Sequence, residues 1–192
     1  MTLFQRLKSL DVKRELLAAN EAIGLFEDSN SLDSDNLVQG YGEILVKYVK
    51  MDEKNIDSRI RDKKLIALYN KYDWFMTEES LGELLLNRNF SWLGDNITKN
   101  VNEVAERINF IIKSKNTKNN KIPMEFMNKI YSIHKDISFV STYFPLIVLP
   151  SEHLENSEGY FNYIIEDGNV RAIAYRLSGI EDSLVYLARN KL

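Results

Sequence analysis

The sequence predicts an all-α protein, built as an irregular helical bundle or as a short HEAT/armadillo-like array of helical hairpins. Apolar residues recur at spacings of three and four along most of the chain, which is the period of an amphipathic helix. Only three prolines and eight glycines interrupt the 192 residues, so few turns are expected. The predicted helices start near residues 11, 34, 57, 77 and 97. This spacing of roughly 20 residues fits helical hairpin repeats, but no residue signature repeats, and both architectures stay open.

The first two predicted helices have both a capping residue and an apolar stripe. Asp11 is placed to cap the first helix, and Ser34 or Asp35 the second. The stripe of the first consists of Val12, Leu16, Ala19, Ile23 and Phe26. The stripe of the second consists of Leu37, Tyr41, Ile44 and Tyr48. Both patterns are typical of helices that bury one face.

Three further helices follow the same period. The third begins near Asp57 and the fourth opens at Thr77, where Glu78 and Glu79 favour a helix N-terminus. The fifth begins at about Ile97. Their apolar faces are Ile60, Ala67, Leu68 and Tyr72; then Leu81, Leu84 and Leu85; then Val101, Val104, Ala105, Ile108, Ile111 and Ile112.

The C-terminal third predicts two more helices around one ambiguous segment. Pro123 suits the first turn of a helix. The segment 170–187 predicts a helix of five turns that contains Gly179, on the stripe Val170, Ile173, Leu177, Ile180, Leu184 and Leu187. Between them, residues 138–150 are rich in β-branched and aromatic side chains. A single strand there would have no pairing partner, so we expect a helix end followed by an apolar connector.

Composition places the chain among globular proteins of a reducing compartment. The absence of cysteine excludes disulfides, thiolate metal sites and cysteine nucleophiles. No apolar run approaches the roughly 20 residues of a membrane span, and the N-terminus lacks a signal-peptide pattern. We therefore expect one helical domain over residues 1–192, cytoplasmic, without membrane association, and monomeric. The net charge of −3 argues against nucleic acid as the partner.

No motif in the sequence assembles catalytic chemistry. His134 and His153 have none of the spacings of metal ligands, and no nucleophile elbow or phosphate-binding loop occurs. Paired carboxylates are frequent, but all fall at predicted helix ends or polar faces, where solvated acids are ordinary. We predict no metal, no cofactor and no enzymatic activity. An enzyme with a dispersed carboxylate site remains an alternative.

Charge is distributed unevenly and indicates candidate binding residues. Two stretches, 27–35 and 152–167, are acidic without any lysine or arginine. Two tryptophans lie at predicted helix junctions, where they serve either as anchors for a partner or as core residues between helices. The candidate partner-binding residues are Glu27, Asp28, Asp33, Asp35, Trp74, Trp92, Glu152, Glu155 and Glu158.

In its acidic junctions, helix spacing and Lys/Asn/Ile-rich composition, the chain resembles the small acidic α-helical immunity proteins that bacteria pair with secreted nuclease toxins. The resemblance implies a non-catalytic protein that binds and occludes a toxin with a basic surface, and it transfers no individual residues. Complementary charge would accelerate such an association. A phage- or plasmid-encoded inhibitor of a host defence protein has nearly the same physics and remains an alternative.

Overall fold

A computed structural model shows an α/β protein. It describes residues 5–28, 34–87, 90–93, 99–114, 122–151 and 163–191, without the side chains of residues 23–28, 34–38 and 91. These residues form eight helices and a mixed six-stranded sheet. The all-α prediction is therefore wrong, and so is the prediction of a helical bundle or helical repeat array.

The sheet has the strand order β1-β2-β6-β4-β5-β3. Strands β1 and β2 pair antiparallel, as do β4 and β5, whereas β3 and β5 are parallel. The strands are β1 Gln5–Leu7, β2 Tyr72–Ser80, β3 Leu84–Leu86, β4 Leu146–Pro150, β5 Tyr163–Asp167 and β6 Asp182–Asn190.

The helices range from seven to twenty residues. They are α1 Ser9–Asp28, α2 Ser34–Val49, α3 Glu53–Arg59, α4 Lys63–Lys71, α5 Val101–Lys113, α6 Met124–Lys135, α7 Ile137–Tyr143 and α8 Asn169–Leu177. Helices α1, α2, α5 and α6 confirm predictions made from apolar periodicity. Pro123 stands at the N-cap of α6, one residue before the predicted first-turn position. The third predicted helix is two helices, because Asp62 caps the new helix α4 by accepting the amide of Lys64 at 2.8 Å.

The chain divides into two compact units: Met1–Thr77 with Tyr186–Leu192, and Glu78–Val185. In the first unit, α1 packs against α2, α3 and α4. The buried ammonium of Lys13 lies 2.7 Å from Asp57 Oδ1 and 3.2 Å from Glu53 Oε1, which fastens α1 to α3. The indole of Trp74 is fully buried and donates to the carbonyl of Tyr69 at 2.9 Å.

Two carboxylates of α1 bond to tyrosines of α2, in different surroundings. Glu15 accepts a hydrogen bond from Tyr41, and burial raises the pKa of the Glu15 carboxyl above its ordinary value. Glu21 accepts from Lys47 at 2.7 Å and from Tyr48 at 2.5 Å, and these bonds lower the pKa of Glu21. The interface between α1 and α2 thus contains one destabilised and one stabilised charge.

In the second unit, α8 packs against α5, α6 and strand β4. Strand β4 is buried along its whole length, as expected of a strand between two others. Tyr175 of α8 is buried and donates its hydroxyl to the carbonyl of Val140 at 2.9 Å. Because burial disfavours the phenolate, the pKa of Tyr175 rises to about 12.

Strand β2 replaces the helix predicted to open at Thr77. Three of the four residues from Tyr72 to Phe75 are aromatic, and such side chains favour a pleated surface. Leu81 and Leu84 are buried, but from a 3₁₀ turn and from strand β3 rather than from one helical face.

The helix predicted over 170–187 ends ten residues early. After Leu177 the chain makes a C-terminal glycine cap: the amide of Ile180 donates to the carbonyl of Tyr175, and that of Gly179 to Arg176. Gly179 has a φ of 83°, a left-handed conformation that favours glycine. The rest of the predicted helix is strand β6, whose apolar residues happen to continue the helical spacing.

The segment 138–150 is the end of helix α7 followed by strand β4, not an apolar connector. Strand β4 has partners on both sides, β5 and β6. The prediction that a strand here would have no pairing partner is wrong. Its two partners lie in segments that were not predicted as strands.

Candidate functional site

The structure places the two candidate tryptophans against other aromatic rings. Trp74 is fully buried, 5.3 Å from the ring of Tyr69, so its indole is a core residue and does not present a surface to a partner. Trp92 is half-buried, with its ring 5.0 Å from Phe126 and 5.8 Å from Phe90. Trp74 therefore has the role of a core residue, whereas for the half-buried Trp92 the role of partner anchor stays a prediction.

The predicted acidic residues lie outside what the structure describes. This holds for Asp33, Glu152, Glu155 and Glu158, and for the side chains of Glu27, Asp28 and Asp35. The structure nevertheless fixes where the second acidic stretch is attached. Pro150 ends β4 and pairs with Tyr163, which begins β5, so the connection 151–162 starts and finishes at one end of this strand pair.

Other elements of the second unit reach the same end of the sheet. Tyr163 also pairs with Leu84, the first residue of β3. A 3₁₀ turn, Leu81–Glu83, leads directly into β3 and carries the exposed Glu83. The amide of Leu81 donates to the carbonyl of Glu181 at 2.9 Å, which brings the start of β6 to this turn.

Helix α5 begins beside the same 3₁₀ turn. Asn100 caps α5 by accepting the amides of Asn102 and Glu103, and its side-chain nitrogen donates to the carbonyl of Gly82 at 2.7 Å. Glu103 is exposed in the first turn of α5, where a carboxylate is favoured by the helix dipole.

These connections bring exposed carboxylates from the 3₁₀ turn, from α5 and from the start of β6 to one end of the strands. We call Glu83, Glu103, Glu181 and Asp182 the acidic edge. Arg176 also reaches this region and forms an ion pair with Glu181, with Nη1 3.7 Å from Oε1, which offsets part of the negative charge of the edge. Pro150 and Tyr163, which flank a connection with three glutamates in its sequence, pair at the same end.

The formal charge of the second unit is negative, like the charge of the acidic edge. Residues 78–185 contain fifteen Asp and Glu against eleven Lys and Arg, a formal charge of −4, while the whole chain carries −3. Sequence reasoning missed the edge because it placed these acids on three separate predicted helices: Glu83 on one, Glu103 on another, and Glu181 with Asp182 on a third. The paired acids Glu181 and Asp182 were visible, but only the strand pairing shows that they meet the others.

The opposite ends of β3 and β5 hold a polar cluster with internal partners. Asn87, just after β3, donates its amide to Asn169 Oδ1 at 3.0 Å and its side chain to Glu166 Oε2 at 2.9 Å. The buried Arg171 donates to Asp167 Oδ2 at 2.5 Å and to the carbonyl of Phe144 at 2.9 Å. These bonds join the strand ends to α8, so the cluster stabilises the fold here.

The turn between β5 and α8 requires glycine. Gly168 has a φ of 97°, and a Cβ there would lie 2.6 Å from Leu146 Cδ2 and 3.0 Å from Arg171 Nη2. Both the backbone conformation and the space therefore disfavour a larger residue.

The described titratable groups show two features relevant to catalysis. Within these residues, no group of three or more His, Asp or Glu side chains is arranged to hold a metal ion. His134 Nδ1 lies 2.8 Å from Ser178 Oγ. The hydroxyl of Ser178 is also within hydrogen-bond distance of the carbonyl of Ala174, at 2.8 Å.

Comparison of the chain with protein-family models, with curated proteins and with solved structures gives no match. Among the described helices, none is both long enough and apolar enough to cross a membrane. The functional argument therefore rests on the geometry and charge of the residues themselves.

Proposed function

We propose that this protein is a non-catalytic binding module that docks the acidic edge against the basic surface of another protein. The observation that supports the proposal is that exposed carboxylates of the 3₁₀ turn, α5 and the start of β6 lie at the end of the strands where Pro150 pairs with Tyr163. Between these two residues the sequence is acidic. Such a concentration of one charge sign attracts a partner of the opposite sign and raises the association rate.

We further propose that the partner is a basic nuclease toxin that the module occludes. A nuclease must present cationic groups to the phosphate backbone of its substrate, and the acidic edge offers the complementary charge. The mixed sheet removes helical architecture as a reason for this assignment, so the proposal now rests on charge complementarity alone.

The test compares a charge reversal of the acidic edge with a charge reversal of three exposed carboxylates that are not part of it. The variant Glu83→Lys/Glu181→Lys/Asp182→Lys reverses the acidic edge while leaving Glu103 to stabilise the start of α5. A matched control, Glu43→Lys/Glu106→Lys/Glu125→Lys, reverses three carboxylates that are also exposed. Both variants change the net charge by the same amount, so a general charge effect moves them equally.

Wild-type protein and both variants are used as bait in extracts of the native cell, and the recovered proteins are compared quantitatively. We expect a basic protein that the wild type and the control retain and that the edge variant loses. A second variant, Glu152→Lys/Glu155→Lys/Glu158→Lys, tests the connection in the same way. Equal recovery by the edge variant and the control would refute the proposal, as would an acidic partner.

A further inference from the structure

Helix α4 of the first unit presents a basic face to solvent. The exposed residues of α4 are one, three or four positions apart in the sequence, so they lie on one side of the helix. Tyr69 is buried on the other side. These exposed residues are Lys63, Lys64, Ala67, Asn70 and Lys71. The helix contains no aspartate or glutamate.

The acids beside this face are occupied elsewhere. Asp62 directs its carboxylate at the start of α4, where it accepts the amide of Lys64. Among the described residues, no carboxylate lies within ion-pair distance of Arg61, Lys63 or Lys64. The positive charge of Arg61, Lys63 and Lys64 is therefore available to a ligand.

The neighbouring residues described below, at the two ends of α4, do not neutralise its positive charge. At the start, the acids of the preceding helix α3, Glu53 and Asp57, are paired with the buried Lys13. At the far end, Lys191 donates to the carbonyl of Asn70 at 2.7 Å and adds another exposed ammonium group beside Lys71.

We propose that the α4 face binds the phosphate backbone of duplex DNA. Lys63 and Lys71 stand about 12 Å apart along the helix axis, from the rise of about 1.5 Å per residue. This distance is close to the width of about 12 Å of the major groove of B-DNA, whose phosphate borders are the usual target of lysine. A-form RNA has a narrower major groove that does not admit side chains in this way.

The composition of the face favours DNA over an anionic membrane surface. An interfacial membrane helix needs large apolar side chains to bury in lipid. The exposed face of α4 offers one alanine among lysines and an asparagine. Net charge alone hides this feature, because the −4 of residues 78–185 masks a slightly positive first unit.

The experiment titrates a labelled 25-base-pair DNA duplex with the full-length protein at several salt concentrations and follows fluorescence anisotropy. The test variant is Lys63→Gln/Lys64→Gln/Lys71→Gln, which removes charge and keeps good helix formers. The control, Lys50→Gln/Lys113→Gln/Lys135→Gln, removes three exposed lysines from other helices or helix ends. Circular dichroism verifies that both variants are folded.

We expect the control to bind like the wild type and the α4 variant to bind at least about tenfold more weakly at low salt. The slope of log affinity against log salt should fall by about 2.7 in magnitude, since each lost phosphate contact contributes about 0.9. Equal binding by both variants, or no binding of the duplex by the wild type at about 50 mM salt, would overturn the proposal. Tighter binding of duplex RNA, of a polyglutamate peptide or of phosphatidylserine vesicles than of DNA would also overturn it. This inference is independent of the acidic edge, which the α4 variant leaves unchanged.

Discussion

Replacing Gly168 by alanine tests the packing that joins β5 to α8, and Gly179 provides a matched control. Both glycines have positive φ, 97° and 83°, so alanine at either position carries the left-handed backbone cost of about 1–2 kcal/mol. Part of that cost is offset because alanine also restricts the unfolded chain, by about 0.4–1 kcal/mol. We therefore expect Gly179→Ala to lower the free energy of unfolding by about 1 kcal/mol.

The surroundings of the two glycines differ. A Cβ at Gly179 meets nothing within 4 Å, whereas at Gly168 it would approach the buried Leu146 to 2.6 Å. Forcing a methyl group into a packed core costs about 1–3 kcal/mol. Gly168→Ala should therefore lower the free energy of unfolding by about 2–4 kcal/mol, clearly more than Gly179→Ala.

Urea unfolding followed by circular dichroism measures both variants under one condition. With a slope of about 2 kcal/mol per molar urea, the two midpoints should differ by about 1 M. Equal midpoints would show that Leu146 and Arg171 do not enclose Gly168 as described, and would refute the reasoning.

Three further predictions concern carboxylates and tyrosine hydroxyls. Glu15→Gln should leave the free energy of unfolding at pH 7 unchanged or raise it, since burial raises the pKa of Glu15 and makes its charge unfavourable. Glu21→Gln should lower that free energy by under about 1 kcal/mol. The loss in Glu21→Gln should disappear as pH falls below about 4, because the stability contributed by a carboxyl with a lowered pKa is present only above its unfolded pKa; a loss independent of pH would contradict this. Tyr175→Phe should cost about 0.5–1.5 kcal/mol in urea unfolding because the carbonyl of Val140 loses one of its two donors and keeps the amide of Phe144, and an unchanged midpoint would place the hydroxyl elsewhere. Stability should fall between about pH 10 and 12, because the unfolded tyrosines ionise near 10 while Tyr175 and Tyr48 keep their protons to about 12, and the fall should be shallower in Tyr175→Phe.

Helices α1, α2, α5 and α6 were predictable because each has a local signal that tertiary contacts do not override. In α5, Asn100 caps the helix and Val104, Ala105 and Ile108 form its buried stripe. Such periodicity depends only on neighbours three and four residues away.

The sheet was not predictable in the same way, because its strands are recognisable only through each other. Residues of β6 continue the apolar spacing of α8, and Gly179 was accepted inside a helix although its position after Leu177 is that of a terminal cap. Because β5 and β6 were not predicted as strands, no predicted strand could pair with β4.

The candidate site was predicted in part. The acidic stretch 152–167 is evident from the sequence alone, whereas the contribution of Glu83 and Glu103 depends on a register that pairs Leu84 with Tyr163. Two acids of that stretch, Glu166 and Asp167, are bonded to Asn87 and Arg171 at the other end of β5. Composition could not separate these structural acids from the exposed ones.

Site-specific photo-crosslinking in the native cell tests the central claim most directly. A photoreactive residue replaces Glu83 in the acidic edge, and in a parallel strain it replaces Glu125, which is exposed on α6. We predict a discrete adduct with one basic protein from position 83 and none from position 125. An adduct from position 125 without one from position 83, or an acidic protein crosslinked at position 83, would contradict the assignment of this edge as the binding surface.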